Sequence, residues 1–409
     1  MPATTKRTQS SGRVVHMTSV HPPFDVRIFH KECKSLARAG YDVTLIACHD
    51  RDETVDGVRL KAVPRLKGRL SRMARTTIAV LRQALREDAD LYHFHDPELL
   101  PVGLLLRLKG KLVVYDAHED VACDVALKHY IPRLLRPPLA WCIDRLENSS
   151  SSRFSACVAA TQPISRRFES SRSRATVISN YPLPDEQPAL RKPWSERSAS
   201  VAYVGMLSGD RCIAEIVRAM ALLPDKLQIT LNLAGAFSPP DLAAHVSHMS
   251  GWDRVKMMGT IGRGEVAQVL SEARAGLVLY RPDPNSLECA PNKLFEYMQA
   301  GIPVIASDFP GFRQIVSETK CGLLANPLDP AEIARAIEYI FSHPDEAEQM
   351  GLRGREAVVA RFNWSCEERK LLALYENLFD SSRKARAGIR IRRPEIPETL
   401  RQELREVQK

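Results

Sequence analysis

Short runs of apolar residues alternate with segments of helical periodicity from about residue 13 to residue 380. The runs are rich in Val, Ile and Leu, which is typical of buried strands in a parallel sheet. The segments between them repeat apolar residues at i, i+3 and i+4, which predicts helices with one buried face. Repeated strand–helix–strand units predict an α/β fold. The predicted strands are 13–20, 41–47, 90–96, 111–118, 156–160, 200–205, 228–235, 255–259, 275–280 and 302–308.

One interruption of this alternation divides the chain into two domains. Residues 184–199 are rich in Pro, Glu and Arg, which predicts a linker. We therefore expect two Rossmann-like domains, each a doubly wound parallel sheet, at residues 13–183 and 200–364. A last helix is predicted at 365–380.

The loop and helix that precede the strand at 302–308 bring together the most suggestive side chains. Pro291 suits the first turn of a helix, and Gly301 suits its carboxyl end. Glu288 then lies in the loop, while Lys293 and Glu296 lie in the helix. The amino end of a helix attracts phosphate, so these groups could hold a sugar, a diphosphate and a ribose together. From spacing alone, a solvated surface helix with two ordinary glutamates explains the pattern equally well.

A resemblance adds to this interpretation. Two glutamates separated by seven residues, followed by a Gly-x-Pro-Val strand, resemble the donor-site signature of family 4 (group 1) glycosyltransferases, which have the GT-B fold. The resemblance implies two domains facing across a cleft, a last helix that crosses back to the first domain, and sugar transfer with retention of configuration. It places Glu288 against the donor sugar as a catalytic residue and Glu296 against the ribose. Lys293 and the amides near Asn292 and Leu294 would lie by the diphosphate.

A second donor element is predicted after the strand at 200–205. Gly205 in a strand-to-helix turn, followed by Arg211, suits phosphate binding, although the motif is weak by itself. In the family, an arginine usually follows this glycine after a short distance, and a Lys-Gly pair lies further on. Met206 stands in the place of that arginine here, so the resemblance carries only Arg211 over as a cation. The turn at 259–263 resembles the family's base-recognition loop.

Polar residues follow the early strands of the first domain, where open α/β sheets bind ligands. His95 and Asp96 end one predicted strand and His118 ends the next. A single histidine is more often structural, but two polar clusters at successive strand ends favour a site. The resemblance implies that His118 is catalytic and faces the donor sugar and the acceptor. We assign Asp25, Arg27, His95 and Asp96 to the acceptor side, with Asp25 in a loop where many relatives carry Gly-Gly.

Composition and net charge limit the kinds of partner and cofactor that we expect this protein to bind. The 409-residue chain has a net charge of +9 and a pI near 9.1, which suits phosphorylated ligands or an anionic membrane surface. We expect no nucleic-acid partner. Nine scattered cysteines without a C-x-x-C pair argue against disulfides and a zinc site. No Asp-x-Asp motif follows a strand at a plausible place, so we expect no metal and no other cofactor.

The cellular location is predicted from two patterns that the sequence lacks, a membrane-spanning run and a signal peptide. No run of roughly 18 apolar residues predicts a membrane span. Residues 1–12 lack the apolar core of a signal peptide and predict a disordered tail, as does the basic segment 381–409. We expect a cytoplasmic protein, with a peripheral position on the inner membrane face if the basic segments at 125–146 and 383–393 contact lipid.

Together these features predict an enzyme of polysaccharide biosynthesis. It would move a sugar from a UDP- or GDP-sugar to a glycan or lipid-linked glycan. A GT-B nucleotide-sugar epimerase and a catalytically silent GT-B scaffold subunit are the alternatives. A NAD-dependent dehydrogenase is disfavoured because no Gly-x-Gly-x-x-Gly follows the first strand.

Overall fold

Two parallel-sheet α/β domains face each other across a cleft in the computed structural model. The structure describes residues 11–65, 72–118, 121, 123, 125, 131–169, 175–184 and 192–387. Residues 1–10 and 388–409 of the predicted tails, and residues 185–191 of the predicted linker, lie outside the described residues.

The N-terminal sheet is built around its first strand. Its strands are β1 Arg13–Met17, β2 Asp42–Cys48, β3 Glu53–Val55, β4 Val58–Val63, β5 Leu91–Phe94, β6 Leu112–Ala117, β7 Ala156–Ala159 and β8 Ala175–Val177. They lie in the order β3-β4-β2-β1-β5-β6-β7-β8, and only the β3–β4 pair in the described residues of this sheet is antiparallel. The strand order reverses between β1 and β5, so ligands are expected at the carboxyl ends of these two strands.

The C-terminal sheet has the strand order of a Rossmann domain. Its strands are β9 Ser200–Val204, β10 Thr230–Ala234, β11 Val255–Gly259, β12 Ala275–Val278, β13 Val304–Ser307 and β14 Gly322–Ala325. They are parallel and lie in the order β11-β10-β9-β12-β13-β14. The order reverses between β9 and β12, which makes this point the expected nucleotide site.

Helices cover both sheets. In chain order they are α1 Val26–Cys33 continued by Lys34–Arg38, α2 Thr77–Glu87, α3 Leu100–Leu108, α4 Arg136–Ser151, α5 Gln162–Glu169, α6 Ile213–Ala221, α7 Leu242–Ser247, α8 Arg263–Glu272, α9 Asn292–Ala300, α10 Pro310–Thr319, α11 Pro330–Ser342, α12 Pro344–Ala360 and α13 Trp364–Arg386. The first part of α1 is π-helical, a rare geometry that is frequent at functional sites.

Helix α13 lies against the N-terminal domain. Its residues Leu371 and Tyr375 are fully buried in the same cluster as the β1 and β2 side chains, and Trp364 Nε1 donates to Ser35 Oγ at 2.9 Å. The helix runs to Arg386 and is therefore helical where the sequence predicts a tail from residue 381. The hairpin of β3 and β4 is a second element that the sequence pattern does not reveal.

Candidate active site

A cavity of about 1060 Å³ lies between the domains and is lined by both of them. In the N-terminal domain its walls come from the segments that follow β1, β6, β7 and β8. In the C-terminal domain they come from the loop before α9 and the start of α10. Because the carboxyl ends of parallel strands are where open α/β sheets bind ligands, we take this cleft as the candidate active site.

Some of the residues singled out from the sequence line the cleft and others do not. The lining ones are Asp25, Arg27, His118, Glu288 and Asn292. The other predicted donor residues lie next to Asn292 in α9 or in the turn after β9. His95 and Asp96 are each only 2% exposed and lie behind the cleft wall, so they do not face an acceptor as expected.

Helix α9 begins at the cleft. Pro291 is extended just before it, and Gly301 ends it in the left-handed conformation with a φ of 67°. Leu294 is fully buried, and its N–H donates to the Pro291 carbonyl at 3.0 Å. The expected contact of the Leu294 amide with a phosphate is therefore not available, because that amide is already bonded within the chain. The N–H groups of Asn292 and Lys293 are the ones left at this helix end.

Two cations lie at the switch point of the C-terminal sheet. The Arg211 guanidinium lies 3.9 Å from the centre of the Tyr280 ring. Lys293 Nζ lies 5.6 Å from that ring centre and 4.0 Å from the centre of Tyr203. Burial, and after it the charge of Arg211, lower the pKa of Lys293 to about 7. Two cations held this close repel each other, so the site favours an anion that contacts both.

Gly205 leaves room for this arrangement. It has a φ of +131°, and a Cβ atom at this position would lie 3.4 Å from Lys293 Nζ. A Cβ atom here would only touch the lysine, but a side chain would be strained because L residues rarely adopt this backbone conformation.

A smaller cavity of about 330 Å³ continues from Gly205. It is lined by Met206, by the turn after β10 at residues 235–238, and by Thr260 and Ile261 after β11. The lining is mostly apolar and the backbone is close on several sides, which suits a flat heterocycle. Its position agrees with the base-recognition loop that the resemblance places at 259–263.

The two predicted glutamates have different surroundings. Glu288 is half-exposed, and its Oε2 lies 3.4 Å from Nη1 of Arg166 across the cleft. The pair connects the two domains, and a sugar in the cleft would compete with it for Glu288. Glu296 does not line the cleft, and its charge raises the pKa of Lys293 against the effect of burial.

His118 belongs to a chain of polar groups on the N-terminal wall. Its Nε2 lies 3.0 Å from Nε2 of His21, whose Nε2 is 3.4 Å from Oδ1 of Asp96. Asp96 also accepts hydrogen bonds from Thr18 Oγ1 and the Ser19 N–H, at 2.8 and 2.6 Å. Burial lowers the pKa of His118 to about 4, so the imidazole is neutral at physiological pH. Asp96 thus positions His21 beside His118.

Arg27 lines the cleft with little of its charge available. Its Nε and Nη2 donate to the two carboxylate oxygens of Asp116 at 2.8 and 3.0 Å, and Nη1 donates to the Ile178 carbonyl at 2.9 Å. Burial raises the pKa of Asp116, but Arg27 and His95 outweigh it and hold the pKa well below its ordinary value. Asp25 accepts from the N–H groups of Arg27 and Ile28 and caps α1. Arg27 and Asp25 are therefore occupied in shaping the wall.

Three residues of the site were not singled out from the sequence. His21 directly follows the first strand segment, so the rule that selected His118 could have found it. Asp116 lies inside an apolar strand and Arg166 on a surface helix, and neither position carries a signal without the fold. The residues that these two side chains contact lie far away along the chain.

Two family profiles match the sequence, one on each domain. Residues 26–181 match the profile described as Glycosyltransferase Family 4, and residues 188–357 match the one described as Glycosyl transferases group 1.

Curated relatives have related names. A GDP-mannose-dependent alpha-mannosyltransferase of Mycolicibacterium smegmatis is 27% identical over 83% of this chain and 90% of its own length. An alpha-maltose-1-phosphate synthase of the same organism is 26% identical over 48% of this chain and 52% of its own. A phosphatidyl-myo-inositol mannosyltransferase of Mycobacterium leprae is 29% identical over 34% and 42%. The matches to the latter two span about half the length of those proteins.

Solved structures share the fold along most of the chain. Sucrose-phosphate synthase from Thermosynechococcus elongatus superimposes with a TM-score of 0.73 at 22% identity, covering 90% of this chain and 99% of that one. Anabaena HepE, solved in complex with UDP and glucose, gives 0.69 at 16% identity, covering 90% and 100%. A family profile matches each of the two domains, and solved glycosyltransferases share the fold along most of the chain. The chain therefore belongs to the group 1 and family 4 glycosyltransferases of the GT-B fold.

Proposed function

We propose that the protein transfers a sugar from a nucleotide-diphosphate sugar to a glycan or lipid-linked glycan, with retention of configuration, in polysaccharide or glycolipid biosynthesis. The observation that carries this proposal is the pairing of two cations, Arg211 and Lys293, with the start of a helix at the switch point of the C-terminal sheet. This site opens on the apolar cavity of about 330 Å³ on one side and lies next to the domain cleft on the other.

The donor side of the site has to stabilise the leaving group of the reaction. The bond between the anomeric carbon and a phosphate oxygen breaks, and the nucleoside diphosphate leaves with the electron pair. The acceptor oxygen forms the new bond to that carbon, and its proton passes to the leaving phosphate. Negative charge develops on the phosphate as the first bond breaks, where Arg211, Lys293 and the N–H groups at the start of α9 would meet it. Such donors, held in place before the reaction, stabilise charge without reorganising. We propose that this needs no metal ion at the diphosphate.

The sugar would lie in the cleft between Glu288 and His118. Glu288 would accept hydrogen bonds from the sugar hydroxyls once it leaves Arg166. His118 is neutral, so one of its ring nitrogens donates and the other accepts. Because its Nδ1 is buried, its Nε2 would exchange the contact with His21 for one with the sugar or the acceptor hydroxyl. The acceptor would enter from the N-terminal side of the cleft.

The donor part is tested by thermal shift with UDP, GDP, ADP and their sugars. A ligand at 100 times its Kd adds about 2.7 kcal/mol to the free energy of unfolding if it binds only the native state. We expect one nucleotide to stabilise the wild type and Glu296→Ala to lose the effect. Glu356→Ala, on the exposed face of α12, is the matched control. If no nucleotide stabilises the folded protein, the silent scaffold subunit becomes the better interpretation.

Turnover separates the transferase from the epimerase. A transferase consumes the nucleotide sugar much faster when an acceptor is present and releases the nucleotide. An epimerase converts the donor without an acceptor and releases no nucleotide. The second outcome would contradict sugar transfer while leaving the donor site intact.

The lipid-linked acceptor is supported by the surface formed by α4 and the turn before it. Leu134 is 90% exposed and Trp141 62% exposed, and the Arg145 guanidinium lies 5.6 Å from the Trp141 ring centre. Exposed apolar side chains beside cations suit an anionic lipid surface. We propose that this surface rests on the membrane that carries the acceptor. In the part of the chain that the structure describes, every helix is too short or too polar to cross a bilayer.

Flotation with vesicles tests this surface. The wild type should float with vesicles of anionic phospholipid at low salt, and Leu134→Glu combined with Trp141→Glu should stay in the soluble fraction. Leu352→Glu, at an exposed apolar position of the other domain, should float like the wild type. A wild type that never floats would overturn the membrane part alone.

A further inference from the structure

Three histidines meet on one face of the N-terminal sheet, behind the cleft wall. His16 in β1 stands beside His93 in β5 in the strand register. His95 follows two residues later and therefore projects to the same side. Their ring centres lie 4.6 to 5.3 Å apart, and the three side chains are buried. None of them lines the cleft.

Glu32 of α1 completes the group from the helix packed on this face. Its Oε2 lies 3.8 Å from His16 Nδ1, 3.9 Å from His93 Nδ1 and 3.8 Å from His95 Nε2. The carboxylate is 1% exposed, and neither oxygen accepts a hydrogen bond from any described residue. Arg27 Nε is 3.2 Å away, but its N–H is directed to Asp116. A buried carboxylate without a hydrogen bond is costly, so Glu32 favours either a proton or a cation at its oxygens.

The spacing of the donor atoms fits a metal. Zinc–nitrogen bonds of about 2.0–2.1 Å in a tetrahedron put neighbouring donor atoms about 3.3 Å apart. Here His16 Nδ1 and His95 Nε2 are 3.0 Å apart, the distances to Glu32 are 3.8–3.9 Å, and all four ligand atoms lie within 4.8 Å of one another. To complete the tetrahedron, Glu32 Oε2 would approach the imidazole nitrogens by about half an ångström, and no pair of ligand atoms would need to approach by more than about 1.5 Å.

Groups around the cluster hold His16 and His95 as metal-ligating histidines are usually held. His95 Nδ1 lies 3.2 Å from Asp116 Oδ2, which leaves Nε2 for the cluster. The Tyr375 hydroxyl lies 3.2 Å from His16 Nε2, which leaves Nδ1 for the cluster. It also lies 2.7 Å from His93 Nδ1, the nitrogen that faces Glu32, so a metal bound there would replace this hydrogen bond. Carboxylates and other polar groups behind ligating histidines fix the tautomer and the ring orientation. His93 Nε2 has no partner among the described residues.

We propose that His16, Glu32, His93 and His95 bind one divalent transition-metal ion of the zinc type, in a closed structural site. Three imidazoles and a carboxylate suit such an ion. It joins β1, β5 and α1, and through Tyr375 it also holds α13 on the N-terminal domain. The site lies apart from the diphosphate and takes no part in sugar transfer, so it stands or falls independently of the proposed function.

Metal content of the full-length protein tests the site. Protein stripped with a chelator is incubated with zinc sulfate, desalted and analysed by mass spectrometry of the elements. We expect about one zinc per chain in the wild type and less than about a tenth in Glu32→Gln, which keeps the shape and loses the charge. His245→Ala, an exposed histidine of α7, is the control and should keep the metal.

A second variant separates this site from its neighbour. His95, Asp116 and His118 also lie close enough to share an ion. We expect His118→Ala to retain zinc. Loss of zinc in His118→Ala together with retention in Glu32→Gln would place the ion at the cleft and overturn the proposal.

If Glu32→Gln does not fold, measurements on the wild type alone can still test the metal site. Zinc should raise the melting temperature of the chelator-treated protein by several degrees and magnesium should not. Cobalt should give the intense visible absorption of a tetrahedral site. A folded wild type that takes up neither metal would overturn the proposal and leave a hydrogen-bonded cluster of neutral side chains.

Discussion

Replacing Lys293 by arginine should remove a pH dependence of donor binding that the wild type has. The wild-type ammonium has its pKa lowered to about 7 because it is buried beside Arg211. Only its protonated form attracts a diphosphate, and a bound diphosphate raises the pKa again. Binding therefore takes up a proton at pH values above 7, and the affinity should fall as the pH rises. Arginine stays charged throughout this range and can stack on Tyr203 as the lysine does.

The size of the effect follows from the fraction of protein already protonated. With a pKa of about 7, this fraction is about one half at pH 7 and about one eleventh at pH 8. The Kd of the wild type should then rise about fivefold between these pH values. Burial raises the pKa of Cys289 to about 12 and raises that of Tyr280, so neither neighbour titrates in this range.

Calorimetry with a nucleotide sugar measures the effect without interference from the ligand. The phosphates of UDP-glucose or GDP-mannose do not ionise between pH 7 and 8, whereas the terminal phosphate of a free nucleotide titrates near pH 6. Titrations in two buffers of different ionisation enthalpy count the proton directly. Lys293→Met should bind with the weak affinity that the wild type approaches at high pH. The assignment of this pH dependence to Lys293 would be refuted if the wild-type Kd were equal at pH 7 and pH 8. It would also be refuted if the Kd of Lys293→Arg depended on pH as strongly as that of the wild type.

Three further substitutions test other parts of the structure. Glu288→Gln should lower kcat at least 100-fold while the Kd for the nucleotide changes little, as steady-state kinetics and calorimetry would show. Tyr375→Phe should lower the free energy of unfolding in urea by about 1–3 kcal/mol because two buried histidines lose a partner, and Tyr339→Phe, at an exposed hydroxyl, should cost less. Gly235→Ala should destabilise by at least about 2 kcal/mol, since its Cβ would lie 1.8 Å from the Gly205 carbonyl oxygen, whereas Gly264→Ala meets open space.

The sheets could be predicted from sequence because their strands are local apolar runs. The predicted strands at 41–47 and 255–259 agree with β2 and β11 to within about a residue. The GT-B fold that the resemblance implied is likewise confirmed by the structure and its neighbours. The hairpin of β3 and β4 was missed because its short strands have no clear apolar run.

The polar interior could not be predicted, because it depends on which strands become neighbours. His95 was expected at the acceptor side, yet the strand order puts it against His16 and Asp116, behind the wall. The expectation of no metal site considered cysteines and Asp-x-Asp motifs. The histidine cluster escapes such a search because its members come from β1, β5 and α1 and have no characteristic spacing as a set.

The position of α13 has a consequence for how the chain can be divided. Leu371, Tyr375 and Phe379 fill the core of the N-terminal domain, although they follow the whole C-terminal domain in sequence. The N-terminal domain is therefore discontinuous, and the C-terminal domain is an insertion within it. A fragment that stops at residue 183 would leave an apolar groove open to solvent. Excising residues 192–362, which takes Trp194 and Phe362 with the C-terminal core they pack on, and joining the flanking segments through a flexible linker is the division that preserves both cores.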